Sequence, residues 1–109
     1  MNETTILDVK NLVTRDAPVI LGHNLKKAIL FGSCARGDYN DDSDVDVALI
    51  VSRDDDCKES AMDIVCEAMA RYGAVLSFSF VREQDYESKK SWYPFYRNIN
   101  NEGVIWYAS

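Results

Sequence analysis

The apolar and polar positions of the chain switch repeatedly between a helical period and a two-residue period. Ile6, Val9, Leu12 and Val13 recur at three- and four-residue steps, which predicts a helix with one apolar stripe. Thr4 or Thr5 stands where a cap belongs, and Pro18 predicts an end near Arg15. Lys26 to Phe31 reads as a short buried strand. From Asp44 to Val51 a second strand is expected, with Val45, Val47 and Leu49 alternating with Asp46, Ala48 and Ile50. Asp54 to Asp56 offer a cap and negative charge to the positive end of the next helix. That helix shows Met62, Val65, Met69 and Tyr72 at helical spacing, read here as its packing face, and Gly73 stops it. Ala74 to Val81 alternates again, Leu76, Phe78 and Phe80 on one face and Val75, Ser77, Ser79 and Val81 on the other. A short helix is expected from Glu83 to Lys90. Pro94 and Gly103 bracket one more, ahead of a last apolar segment from Val104 to Tyr107. The pattern predicts an α/β (α+β) fold, a small mixed sheet flanked by helices.

Composition narrows what such a fold can do. With 109 residues the chain is expected to form one domain, residues 1–109, whose large co-substrate would have to be a separate molecule. A formal net charge of -6 argues against duplex nucleic acid as a ligand, since phosphate backbones need a basic surface. Cys34, Cys57 and Cys66 form no paired metal-binding spacing, and His23 is the only histidine; neither a zinc site nor a disulfide framework is expected, which suits a reducing compartment. No apolar run reaches the roughly 18 residues of a membrane span, and no leader is evident, so a cytoplasmic protein without a membrane partner is expected.

The acidic residues are unevenly spread. Asp38, Asp41, Asp42, Asp44 and Asp46 fall within nine positions, directly after a strand that ends in Gly32-Ser33. Gly32 permits a sharp turn, and Ser33 offers a hydroxyl and free N–H groups at a helix start, an arrangement suited to phosphate. Taken alone the turn is also an ordinary strand-to-helix cap. Asp44 and Asp46, at i and i+2 of a strand, share a face about 6 to 7 Å apart, which implies roughly 2 to 3 kcal/mol of repulsion at an effective dielectric near 20. A divalent cation reverses that sign. Phosphate turn and carboxylate pair together describe a metal–nucleotide site.

Gly32-Ser33, ten residues, then Asp44-Val45-Asp46 resembles the GS-x10-DxD signature of the minimal nucleotidyltransferases of the DNA polymerase β superfamily. The resemblance implies that Gly32 and Ser33 hold the nucleotide phosphates, that Arg36 approaches the same phosphates or braces the loop, and that Asp44 and Asp46 are catalytic and ligate Mg²⁺. It implies transfer of a nucleoside monophosphate, usually AMP from ATP, to a hydroxyl, with pyrophosphate leaving, a reaction governed by positioning and charge neutralisation. Catalytic members of that family carry a third carboxylate on a neighbouring strand as metal ligand and base. Here Ser77 or Ser79 occupies the matching position, with Glu83 and Asp85 just beyond the strand. The alternative is therefore a nucleotidyltransferase-like module that binds without turnover.

Similar minimal nucleotidyltransferases, the MntA-type antitoxins among them, act as antitoxins beside a HEPN-type toxin, some by adenylylating it. That resemblance implies a toxin protein as partner. The tail bears Trp92, Tyr93, Phe95, Tyr96, Trp106 and Tyr107, aromatic surface suited to such an interface or to a homodimer; equally, Phe95 and Ile99 at i and i+4 can close the core. Other readings are weaker. Asp38, Asn40 and Asp42 alternate as in a calcium loop, but Ser43 replaces its glycine and Leu49 its bidentate glutamate. Arg36-Gly37-Asp38 in a loop is incidental to adhesion. Cys34 at a helix start is expected to have a lowered pKa, yet no neighbour in sequence marks it as a nucleophile. Cys66 is expected in the core and His23 in a loop.

Overall fold

A computed structural model describes all residues, 1–109. The elements are α1 (Glu3–Leu21), a 3₁₀ turn (Gly22–Asn24), β1 (Leu25–Phe31), the short α2 (Ser33–Arg36), β2 (Val45–Val51), α3 (Cys57–Tyr72), β3 (Leu76–Arg82), α4 (Glu83–Lys89), α5 (Pro94–Glu102) and β4 (Val104–Ala108). The strands form one mixed sheet in the order β3-β2-β1-β4. β1 runs antiparallel to both β2 and β4, while β2 and β3 are parallel, so α3 is the crossover that a parallel pair requires.

Each face of the sheet has its own core. On one, α1 and α3 cover Ala28 and Leu30 of β1, the odd positions Val45 to Val51 of β2, and Leu76; these belong, with Val9, Leu12, Val13, Ala17, Ile64 and Ala68 among others, to a cluster of 17 buried residues. On the other, α4 and α5 bring Tyr86 and Ile99 onto Ile29, Ala48, Ile50 and Val81, a cluster of only 6. Strict alternation along β2 and β3 separates the two.

Three helix expectations are corrected. The side chain of Asn2, rather than that of Thr4 or Thr5, caps α1 by accepting from the Thr5 N–H at 2.9 Å. α1 also runs through Pro18 to Leu21; a proline in the last turn forfeits one backbone bond, and burial of Ala17 with packing of Leu21 on the core outweighs that loss. In α3 the buried face is Cys57, Ala61, Ile64 and Ala68, so Met62, Met69 and Cys66 are exposed. Small residues let α3 approach its neighbours closely, which turns the methionines outward. Asp56 precedes α3 as expected, but its side chain makes no capping bond. Asp54 to Asp56 therefore act on α3 only through their charge. Gly73, at φ 64, ends the helix in the left-handed conformation. No helix is long and apolar enough to cross a membrane.

Candidate nucleotide site

Both halves of the candidate site lie at one rim of the sheet because β1 leaves it where β2 enters. Phe31 pairs with Asp46 across these two strands, so the turn that follows Phe31 and the carboxylate at Asp46 come together by register alone. Gly32 adopts φ 75, and a Cβ built on it would lie 2.5 Å from Oδ2 of Asp46. Only glycine lets the turn approach that carboxylate so closely. α2 begins at Ser33; the N–H groups of Ala35 and Arg36 both donate to the Gly32 carbonyl, while those of Ser33 and Cys34 open the turn and have no partner within it.

The electrostatics show the cost of this arrangement without a cation. Burial raises the Asp46 carboxyl above its usual range, the Asp44 charge raises it further, and the Arg36 guanidinium opposes both. Asp44 is exposed just before β2, so solvent screens the pair and weakens their repulsion. The donor set suits a hard divalent cation: two carboxylates beside a glycine turn, one of them disfavoured in its charged form until positive charge arrives. Arg36 is tied by ion pairs to Asp38 and to Glu102 of α5, both at 3.2 Å. In this conformation it braces the loop against α5 while remaining close enough to Asp46 to act on it.

Cys34 corrects an expectation. Its thiol is buried and held above the usual range by that burial, then by Asp46 and Asp44; the nearby carboxylates override any lowering by the start of α2. Its Sγ lies 3.5 Å from the Asp44 carbonyl oxygen, as donor, a packing role at the base of the aspartate strand.

The neighbouring strand supplies no third carboxylate. In the parallel register Ser77 stands beside Asp46 and Ser79 beside Ala48. Glu83 and Asp85 follow Arg82, which pairs with Val51 at the far end of β2, roughly 17 Å along the strand from Asp46. Asp85 is moreover engaged by Arg82 at 2.9 Å. Neither reaches the rim, and no group of three or more His, Cys, Asp and Glu side chains converges as a ligand set.

Two participants escape a reading of the motif alone. Phe31 flanks Asp46 on the same face and packs edge-on against Phe95 of α5, ring centroids 5.9 Å apart; strand alternation from Ile29 predicts its face, though nothing local predicts its partner. Glu102 holds Arg36 from 66 residues away in sequence, a contact without a local signal. From Phe95 the aromatics continue through Tyr96, Tyr93 and Trp92, with Lys89 over Tyr93 and Tyr96 at 5.8 Å each. Trp92, Tyr93 and Phe95 are exposed while Ile99 is buried, so only one of the two residues expected to close the core does so. Trp106 and Tyr107 pack instead on the edge of the larger core.

Comparison with known proteins agrees with this fold. A family model described as polymerase beta, nucleotidyltransferase matches residues 18–107. A candidate protein adenylyltransferase of Methanocaldococcus jannaschii is 36% identical over 83 residues, 76% of this chain and 79% of that one. Among solved structures, a candidate nucleotidyltransferase from Sulfolobus solfataricus aligns over 99% of this chain and 90% of its own, with TM-score 0.55 and 21% identity. A chain of a toxin–antitoxin crystallised with AMP-PNP aligns over 100% of this chain and 75% of its own, with TM-score 0.58 and 17% identity. At such identities the structural matches speak for the fold, and the family model and the archaeal relative speak for descent. The chain belongs to the polymerase β nucleotidyltransferase family.

Proposed function

We propose that the protein binds a nucleoside triphosphate, ATP in the first instance, together with Mg²⁺ at the Gly32–Asp46 rim and transfers the nucleoside monophosphate to a hydroxyl of a partner protein or small acceptor. The observation that supports this reading is the close approach of the Gly32 backbone to the Asp46 carboxylate, which brings the turn and the acidic strand together where any side chain would intrude. Ser33 and the first amides of α2 would hold phosphate oxygens. Asp44 and Asp46 would hold the cation, and Arg36 would fix the loop between them. When bound, the cation supplies neutralising charge for the triphosphate.

A second reading has its own support. Ser77, beside Asp46, is no base, so nothing on β3 takes a proton from an attacking hydroxyl. On this reading the chain is a binding module that keeps the nucleotide grip and works by docking. Under both, the partner we favour is a HEPN-type toxin protein in the cytoplasm. Its support is the likeness to a toxin–antitoxin chain and the exposed Trp92, Tyr93 and Phe95 beside the rim, and residues 1–109 would act as one unit.

Calorimetric titration of ATP with and without Mg²⁺, on the natural chain and on Asp44→Asn/Asp46→Asn, tests the site. Magnesium-dependent binding that vanishes in the double variant is expected; a folded natural chain that binds no ATP overturns it. Incubation with labelled ATP and the candidate toxin then separates the readings, label on the acceptor marking transferase activity and its absence marking docking.

A further inference from the structure

The edge strand β3 presents an unpaired main chain. Val45 donates its N–H to the Val75 carbonyl at 2.8 Å. By the alternation of a parallel ladder, the main chains of Val75, Ser77, Ser79 and Val81 therefore face β2, and those of Leu76, Phe78 and Phe80 face away from the sheet. β3 is the end of the strand order, so these outward groups have no ladder partner. The usual protections of an edge are missing: Leu76 to Val81 contains no charge and no proline, and its register with β2 is unbroken from Val45 to Val51. β4, the opposite edge, has a register shift between Ala28 and Ile29 in its pairing.

Beside β3 lies an apolar groove of about 280 Å³ lined by Met62, Val65, Leu76, Phe78 and Phe80, with Lys58 its one charged residue. Met62 is 43% exposed and Val75 47%. The strand's own sequence favours a second copy as the occupant. Val75-Leu76-Ser77-Phe78-Ser79-Phe80-Val81 reads nearly the same in both directions, the one mismatch being Leu76 against Phe80. A two-fold axis at Phe78 therefore sets valine opposite valine, serine opposite serine and phenylalanine opposite phenylalanine or leucine, matched cross-strand pairs for a second copy.

We propose that two copies pair antiparallel through β3 about an axis at Phe78, joining two four-stranded sheets into one. In that register Phe78 faces Phe78 of the copy, Leu76 faces Phe80, Ser77 faces Ser79 and Val75 faces Val81. Every outward N–H of Leu76, Phe78 and Phe80 meets an outward carbonyl, and Met62 of each α3 is covered. No like charges oppose each other along the strand. The proposal is independent of nucleotide chemistry and of the aromatic surface on α5, which stays free for another partner.

Sedimentation velocity across a concentration series, with residue-resolved amide exchange at the dimeric end, tests it. A dimer is expected in which the Phe78 and Phe80 amides exchange slowly and become fast on dilution. Phe78→Lys sets two ammonium groups on the axis and should weaken the dimer roughly tenfold or more. Met62→Lys, at an exposed helix position, should weaken it in the same direction with circular dichroism unchanged. A monomer at all concentrations, a dimer with fast Phe78 and Phe80 amides or with protection at Ile105 instead, or a dimer indifferent to Met62→Lys, each overturns the proposal; a heterologous strand from another protein would show as protection only in its presence.

Discussion

The two faces of the sheet do different work. Under α1 and α3, 17 buried residues form an entirely apolar layer; under α4 and α5, 6 residues suffice, and the same face presents Asp46 and Ser77 at its rim. Free energy from the first face allows the second to hold a half-buried carboxylate and to leave aromatic surface uncovered. Stability and chemistry are thus divided between alternate residues of one strand, Val45 and Val47 facing one way and Asp46 the other.

This division can be broken from either side. The largest expected effect is on the apolar face, where Ile64→Ala or Leu12→Ala should cost about 2–5 kcal/mol in chemical denaturation, because each side chain is fully enclosed. An equal loss from Phe95→Ala, which sits on the exposed margin of the other face, would contradict the asymmetry. Next comes Gly32→Ala. Its Cβ would meet the Asp46 carboxylate, so magnesium-dependent ATP binding should fall at least tenfold, about 1.4 kcal/mol, with a further cost of roughly 1–3 kcal/mol in stability because its positive-φ, extended backbone is essentially restricted to glycine.

Asp46→Asn should act in opposite directions on the two properties. Burial and Asp44 raise the Asp46 carboxyl in the folded chain, so the native state binds its proton more tightly than the unfolded chain does. Its destabilising effect is then absent below the unfolded carboxyl range and complete above the raised folded value. The variant should accordingly be more stable than the natural chain in metal-free buffer at neutral pH, and the gain should vanish in acid. A thermal melt series against pH reads this directly, and a destabilised variant at neutral pH would refute it. The smallest effect is expected for Glu102→Gln. Loss of one exposed ion pair to Arg36 should change stability by about 0.2–1 kcal/mol, with a modest weakening of ATP binding through a looser Arg36, seen by the same calorimetry.

Local signals made most of this legible. Strand alternation from Val45 and from Leu76 placed both faces correctly, Pro94 and Gly103 bounded α5, and the spacing from Gly32 to Asp46 marked the rim because that segment is contiguous. What failed to show in sequence depends on neighbours distant along the chain. In α3, Met62 and Met69 carry more hydropathy than Ala61 and Ala68, yet helix packing selects the smaller side chains, so size overrode apolar character. Pro18 reads as a stop until the burial of Ala17 beyond Thr14 is known. Neither the Arg36–Glu102 tether nor the Phe31–Phe95 contact has a local signature, since both arise only after α5 folds over the sheet.

The pairing of Phe31 with Asp46 has a consequence for how the rim can change over time. Everything from Gly32 to Asp46 is the connection of one antiparallel strand pair, so phosphate turn and aspartates travel together as an exchangeable cassette whose geometry forms by local folding. Ser77 reaches the rim only through the α3 crossover and is a separate dial. A single substitution there, such as Ser77→Asp, alters the chemistry beside Asp46 while leaving the cassette intact, so under the proposed function nucleotide grip and turnover would be separable.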